Sequence, residues 1–211
     1  MRACGWWCSP ASLARSIARL VGRRAGGAGV VTILGAILAG GQARRFGSNK
    51  ALALFRGEPL IAHAARALGS QVAAVVVCGG ADLLPELPHL ADRPAPGLGP
   101  LGGLAAALFH AHTHGFDGVV SVGCDTPLLP ADLVRQLRTS GGAAYLEAMP
   151  LIGSWPSALS PALDAFVAQD ARRSLRGWGV AAGAAAITIA EPIANINTPA
   201  DLAALGAPGG G

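Results

Sequence analysis

Charge is scarce in this chain. Asp, Glu, Lys and Arg make up 13% of its 211 residues, against 52% hydrophobic, a balance that excludes disorder as a description of the whole chain. Long apolar runs are missing as well. None reaches the roughly 18 residues that a membrane span needs, and the longest candidate, Val30 to Leu38, is strand-sized. The expectation is a soluble, cytoplasmic protein without a membrane partner. Acid is absent from the first 24 residues, which carry Arg2, Arg15, Arg19, Arg23 and Arg24. The formal charge of +4 sits in that segment, so it is no argument for a nucleic-acid partner. Cysteine is too sparse for a disulfide framework at this length. Cys4 and Cys8 are spaced like half a zinc site, but no second Cys or His pair follows, and reduced thiols are the expectation. His110, His112 and His114 recur at every second residue with no Cys or Glu to complete a zinc set. They read as a solvated helix end, where cations are favoured. The four Trp read as core or cleft wall, and no internal repeat occurs.

What is present divides at about residue 30. Residues 1–29 are Arg-rich and end in Ala25-Gly26-Gly27-Ala28-Gly29. They lack the central apolar stretch of a secretory signal and read as an unstructured tail or an upstream start, with a targeting segment or an ordered partner-binding helix as the alternatives. Residues 30–207 read as one domain. The apolar run from Val30 to Leu38 suits a parallel strand buried on both faces. A helix is predicted from Pro59, at its first position, through Leu68, with Gly69 as its stop. Strands follow over Val72 to Cys78 and Val119 to Val122, with helices over Leu101 to His114 and Ala131 to Leu137. Ser140 to Ala190 is less periodic and is expected to add a short antiparallel piece and the second half of a cleft. A last helix should start at Asn197-Thr198-Pro199. This alternation implies an α/β fold of three layers, α/β/α, around a mostly parallel, Rossmann-like sheet. Ligands bind such sheets at the carboxyl ends of the strands.

Three segments at those ends carry the chemistry. In Leu38-Ala39-Gly40-Gly41-Gln42-Ala43-Arg44-Arg45-Phe46-Gly47-Ser48-Asn49-Lys50 a strand runs into glycines that let backbone N–H groups approach a ligand. Arg44, Arg45 and Lys50 add two guanidinium forks and a point charge, the equipment for gripping a triphosphate. The spacing is neither that of the P-loop nor that of the dinucleotide fingerprint. A glycine turn with solvated arginines remains the alternative. In Cys124-Asp125-Thr126-Pro127-Leu128-Leu129-Pro130 the carboxylate of Asp125 stands at a strand tip, suited to Mg²⁺ together with substrate phosphates or, alternatively, to capping the next helix. Cys124 reads as a buried neighbour and not a nucleophile, because no His is near in sequence. Asp92 precedes Pro96-Gly97-Leu98-Gly99-Pro100-Leu101-Gly102-Gly103-Leu104, a tight loop that leads helical N–H groups toward a ligand or is simply a helix entry.

Together these segments, with Ile196-Asn197-Thr198-Pro199-Ala200-Asp201-Leu202, resemble the molybdenum cofactor guanylyltransferase (MobA) family, nucleotidyltransferases of the glycosyltransferase A-type fold. The resemblance runs from about Thr32 to Leu205. It implies transfer of GMP from GTP to a molybdopterin-type cofactor with release of pyrophosphate, and Mg²⁺ as cofactor. It implies nucleotide contacts at Leu38, Ala39, Gly40 and Asp92, and phosphate contacts at Lys50; Gly41, Arg44 and Arg45 are further phosphate candidates from the chemistry of the glycine loop itself. Asp125 would hold Mg²⁺ and also lie against the GTP, with Lys50 and Asp125 as the catalytic pair. One of Asn195 and Asn197 would help at the metal or the phosphates. Proteins that deliver the pterin cofactor or accept the product are implied partners. Related cytidylyltransferases typically have alanine where Gly40 stands and a different loop at Gly99 to Leu104.

The sequence departs from the family pattern at Asn49, where many relatives have Asp, and at Cys78, where relatives often have an asparagine that touches the nucleotide. Ser140 to Trp155 matches only around Pro150-Leu151. Arg172 and Arg173 are candidate contacts for the pterin phosphate, or solvated. Other readings are a cytidylyltransferase acting on the same pterin, a sugar-phosphate nucleotidyltransferase, or a protein that binds a nucleotide without turning it over.

Overall fold

The computed structural model describes residues 31–40, 50–80, 83–169 and 174–206; the Arg-rich segment 1–29 and its alternatives lie outside them. Along the chain come β1 (Ile33–Leu38), β2 (Leu54–Phe55), β3 (Glu58–Pro59) and α1 (Leu60–Gly69), then β4 (Ala74–Cys78), β5 (His89–Leu90) and α2 (Gly99–Thr113). After them stand β6 (Gly118–Gly123), α3 (Leu133–Leu137), β7 (Ala144–Leu146) and β8 (Gly153–Pro156). The chain continues through α4 (Ser160–Gln169), α5 (Leu175–Ala181), β9 (Ala185–Ile187) and α6 (Pro199–Gly206).

Seven strands form one sheet in the order β5-β4-β1-β6-β8-β7-β9. β1 pairs in parallel with β4 on one side and β6 on the other. β8 runs antiparallel to both β6 and β7, which is the short antiparallel piece expected between Ser140 and Ala190. β1 is buried along its whole length because both of its faces are covered, as an unbroken apolar run predicts. Ile33 and Ile37 pack with α1 and α3 on one face. Leu34, Ala36 and Leu38 pack with α2, α4 and α5 on the other. The α/β/α layering read from the sequence is therefore the observed one, and Trp155 and Trp178 lie in its core. Among the described residues no helix is long and apolar enough to cross a membrane.

Element ends differ from the sequence reading for local reasons. Pro59 closes β3 and stands just before α1, not within it, and Gly69 is the last helical residue. α2 starts at Gly99, ahead of Leu101, because Pro100 is harmless in a first turn whose N–H groups have no helical partner. α3 starts at Leu133, with Asp132 and not Asp125 at its cap position.

The foot of the sheet is tied by one carboxylate. Asp117, just before β6, accepts hydrogen bonds from the Thr32 N–H at 2.6 Å and the Thr32 hydroxyl at 3.0 Å. These bonds, the backbone one first, hold the Asp117 carboxyl below its ordinary range. A depressed folded-state pKa means stabilisation that is present above the unfolded value of about 3.9 and lost as pH falls through the folded value. Asp117→Asn should therefore be less stable than the wild type at pH 7, with the gap closing as the pH drops below 4. Urea denaturation of both proteins across that range checks this, and a gap that stays constant into acid would show that the carboxylate charge contributes nothing.

Candidate functional site

The chain changes direction across the sheet at β1, whose neighbours β4 and β6 precede and follow the α2 crossover. The last register pair on the β6 side is Leu38 with Gly123. Both strands end there, at the topological switch point of the sheet, where such folds bind ligands in a crevice outside the strand ends.

Lys50 and Asp125 meet in that crevice. The Lys50 ammonium donates to Asp125 Oδ2 at 2.8 Å and to Asn197 Oδ1 at 2.9 Å, joining groups 75 and 147 residues apart in the sequence. Both members of the ion pair are largely but incompletely shielded, with 14% and 24% of the side chains exposed. Asp125 is placed by β6. A Cβ at Gly123 would overlap Asp125 Oδ1, and its next nearest neighbour would be Leu151 Cδ2. A side chain at position 123 would therefore push the Asp125 carboxylate from its observed place. Leu151, from the segment that matched the family loosely, is thereby brought to the cleft.

Asn197 is placed from the other end of the chain. Ile196 is buried with Phe55 and Leu60, and its N–H donates to the Asp125 carbonyl at 3.0 Å. Asp201 accepts from the N–H groups of Asn197 and Thr198, each at 2.8 Å, while Thr198 Oγ1 accepts from the Asp201 N–H. This reciprocal arrangement is the capping-box device and fixes the entry to α6. The Asn197 N–H first, then that of Thr198, lowers the Asp201 pKa. Asn195 is exposed and, among the described residues, makes no hydrogen bond to Lys50 or Asp125. Of the two asparagines, the structure brings only Asn197 to the pair.

Beyond the ends of β1 and β4 lies a cavity of about 510 Å³, lined by residues that include Gly40, Gly79, His89, Leu90, Asp92 and Gly97 but neither Lys50 nor Asp125, and within the range of small-molecule sites. Gly79 makes it possible. It has φ +73°, and a Cβ there would stand 2.8 Å from the Gly40 Cα. Ala39 is held by its N–H donating to the Cys78 carbonyl at 2.9 Å. Leu38 is buried on the α2 side, so only its main chain is available to a ligand. The Asp92 side chain packs beside Gly102, Gly103 and Gly40. Its Oδ1 is buried with no hydrogen-bond partner among the described residues, a costly state unless a ligand supplies a donor. Gly41, Arg44, Arg45 and Asn49, with Arg172 and Arg173, lie outside the described residues.

The cysteines beside the site are inert. Burial, then the Asp125 charge, pushes the Cys124 thiol up to about 12. Burial, then Asp92, raises Cys78 further. Neither is a thiolate nucleophile or a soft metal ligand at neutral pH. Among the described residues no group of three or more His, Cys, Asp or Glu could hold a metal ion. The donor set at Asp125, one carboxylate with oxygen ligands left to the substrate, suits a hard divalent cation such as Mg²⁺. His112 and His114 are exposed at the end of α2, and His110 stacks on His114 with ring centroids 4.0 Å apart.

Sequence reasoning missed Gly123, Leu151 and the contacts of Arg93, whose guanidinium reaches Asp164 and Phe109. Gly123 had a readable signal, since it closes a buried strand two residues before the site acid. Arg93 had none.

Residues 35–186 match the family described as the MobA-like NTP transferase domain. A molybdenum cofactor guanylyltransferase of Rhodobacter capsulatus is 42% identical over 178 residues, 81% of this chain and 93% of that protein. Among solved structures, the molybdopterin-guanine dinucleotide biosynthesis protein A of Archaeoglobus fulgidus shares the fold with a TM-score of 0.63 at 19% identity, covering 81% of this chain and 95% of that one. A Mycobacterium tuberculosis protein solved in complex with manganese does so with a TM-score of 0.55 at 13% identity, covering 83% and 98%.

Replacing Gly123 with alanine puts a methyl group where Asp125 Oδ1 stands. Triphosphate turnover is expected to fall about a hundredfold, the scale for an ångström-sized misplacement at a reacting centre, while circular dichroism still reports a folded protein. An unchanged rate would mean that Asp125 works from a different rotamer.

Proposed function

This chain belongs to the molybdenum cofactor guanylyltransferase (MobA) family of nucleotidyltransferases, and from that premise we propose its reaction and the residues that perform it. It transfers GMP from GTP to a molybdopterin-type cofactor. A terminal phosphate oxygen of the pterin cofactor attacks the α-phosphorus of GTP. The new O–P bond forms as the bond to the β-phosphate breaks, and pyrophosphate leaves with that electron pair. The single observation that carries the residue assignment is the meeting of Lys50, Asp125 and Asn197 at the sheet's switch point.

In this reading the guanosine occupies the cavity between Gly40, Gly79 and Asp92, and the buried Asp92 Oδ1 accepts from it. The main chain at Leu38, Ala39 and Gly40 lines the path of the nucleotide, and Gly41, Arg44 and Arg45 extend the grip on the phosphates. Lys50 and Asp125 neutralise each other until a triphosphate arrives. The phosphates then offer Lys50 a partner of higher charge, which leaves the Asp125 carboxylate for a divalent cation. Asn197 keeps Lys50 aimed during that exchange. A cation held by Asp125, Mg²⁺ in this reading, would supply charge neutralisation on the phosphates; a protein with the same fold has been solved in complex with manganese. No covalent enzyme intermediate is needed, because the nucleophile is a substrate phosphate and the protein contributes positioning and charge. Proteins that supply the pterin cofactor and receive the dinucleotide would meet this one in the cytoplasm.

Pyrophosphate release from purified protein with molybdopterin-type cofactor, Mg²⁺ and each of GTP, CTP and ATP tests the assignment. GTP alone should support turnover. Lys50→Met should lower it by about 10²–10³-fold, the range for removing one charge-stabilising group, and Asp125→Ala should abolish it. Turnover with CTP would keep the chemistry and overturn the base. No release with any nucleotide would leave a sugar-phosphate acceptor or simple nucleotide binding.

A further inference from the structure

Asp92 sits in an irregular stretch between β5 and α2, yet its carboxylate must hold one place with a buried, unpartnered oxygen. Such a group turns outward to water unless the chain beside it is fixed. The next residue, Arg93, is fixed at three points. Its N–H donates to the Gly102 carbonyl, in the first turns of α2, at 3.2 Å. Its guanidinium lies 3.7 Å from the centroid of the Phe109 ring, further along α2. Its Nη2 donates to Asp164 Oδ2, on α4, at 3.2 Å. Arg93 Nε and Asp164 Oδ1 are both buried without a partner among the described residues. The pair therefore has a second donor and a second acceptor in reserve for a bidentate fork.

We propose that Arg93 is a positioning residue for nucleotide binding: anchored by Asp164 and stacked on Phe109, it fixes the main chain next to Asp92 and so holds the Asp92 carboxylate in the cavity. This rests on the reading of that cavity as the nucleotide site. The guanidinium plane is essential. It lies over a ring face while one of its N–H groups meets the Asp164 carboxylate, a combination that a lysine ammonium on a flexible stem cannot reproduce.

A double-mutant cycle separates this role from ordinary stabilisation. GTP Kd by calorimetry, and KM and kcat by pyrophosphate release, are measured for the wild type, Arg93→Met, Arg93→Lys, Asp164→Asn, Asp92→Ala and the Asp92→Ala/Arg93→Met pair. Arg93→Met should weaken GTP binding and raise KM about tenfold, within the span of coupled neighbours, with kcat nearly unchanged. Lysine should not rescue it. Asp164→Asn, which keeps an acceptor, should shift Kd in the same direction by less, and it carries the test if Arg93→Met does not fold. Once Asp92 is alanine, removing Arg93 should have no further effect on Kd. Multiplicative effects, full rescue by lysine, or a wild-type Kd in Arg93→Met or Asp92→Ala would overturn the positioning role while leaving the guanylyltransferase reading intact. Failure of the wild type to bind GTP would overturn that reading and this inference with it.

Discussion

The contact between the Lys50 ammonium and the Asp125 carboxylate organises the site. Neither charge could stay in a largely shielded crevice without the other, since an unpaired buried ion carries a desolvation cost that its surroundings must offset. The pair imposes demands on three parts of the chain. β6 ends at Gly123, where a side chain would displace the carboxylate. The segment opening with Lys50 must pack beside α1, which it does through Ala51. The late Ile-Asn-Thr segment must return across the molecule, and the burial of Ile196 against Phe55 and Leu60 brings it there.

The pair is also what gives the crevice two electrostatic states. With Lys50 bonded to Asp125 the site is locally neutral. A triphosphate and a divalent cation would replace one internal ion pair by two intermolecular ones, each cation meeting an anion and no charge left alone. Partial exposure suits this exchange, because water can reach the groups while they trade partners. The neighbouring thiols stay out of it, held neutral by burial and by the two carboxylates. Asp92 works on the opposite principle. Its unpartnered oxygen is a deficit in the described fold that a ligand donor would fill; in the proposed reading it would select what enters, where Lys50 and Asp125 would supply charge.

Much of this was legible in the sequence. The α/β class followed from buried apolar runs of strand length alternating with helical segments. Asp125 stood out as an acid at a strand tip, and Lys50 as a cation closing a glycine loop. The family resemblance joined them to one of Asn195 and Asn197 without deciding between the two. Less legible were the helix limits: Pro59 sits before its helix and Pro100 within the first turn of the next, because a proline reads the same from either side of a boundary. Ser140 to Ala190 had no clear period because it holds two short strands, two helices and a parallel edge strand, each too brief to show one.

The sequence by itself determined the layers, the strands that carry the site, and the identity of the charged groups at their ends, because burial on both faces of a sheet and phosphate chemistry each demand particular residue types at particular spacings. Only the tertiary structure decided which groups meet. It brought Asn197 and not Asn195 to Lys50, set Gly123 under the acid, and tied Arg93 to Asp164 across 71 residues. Contacts of that kind depend on strand order and helix placement, which local periodicity does not encode, and so they leave no pattern in the chain.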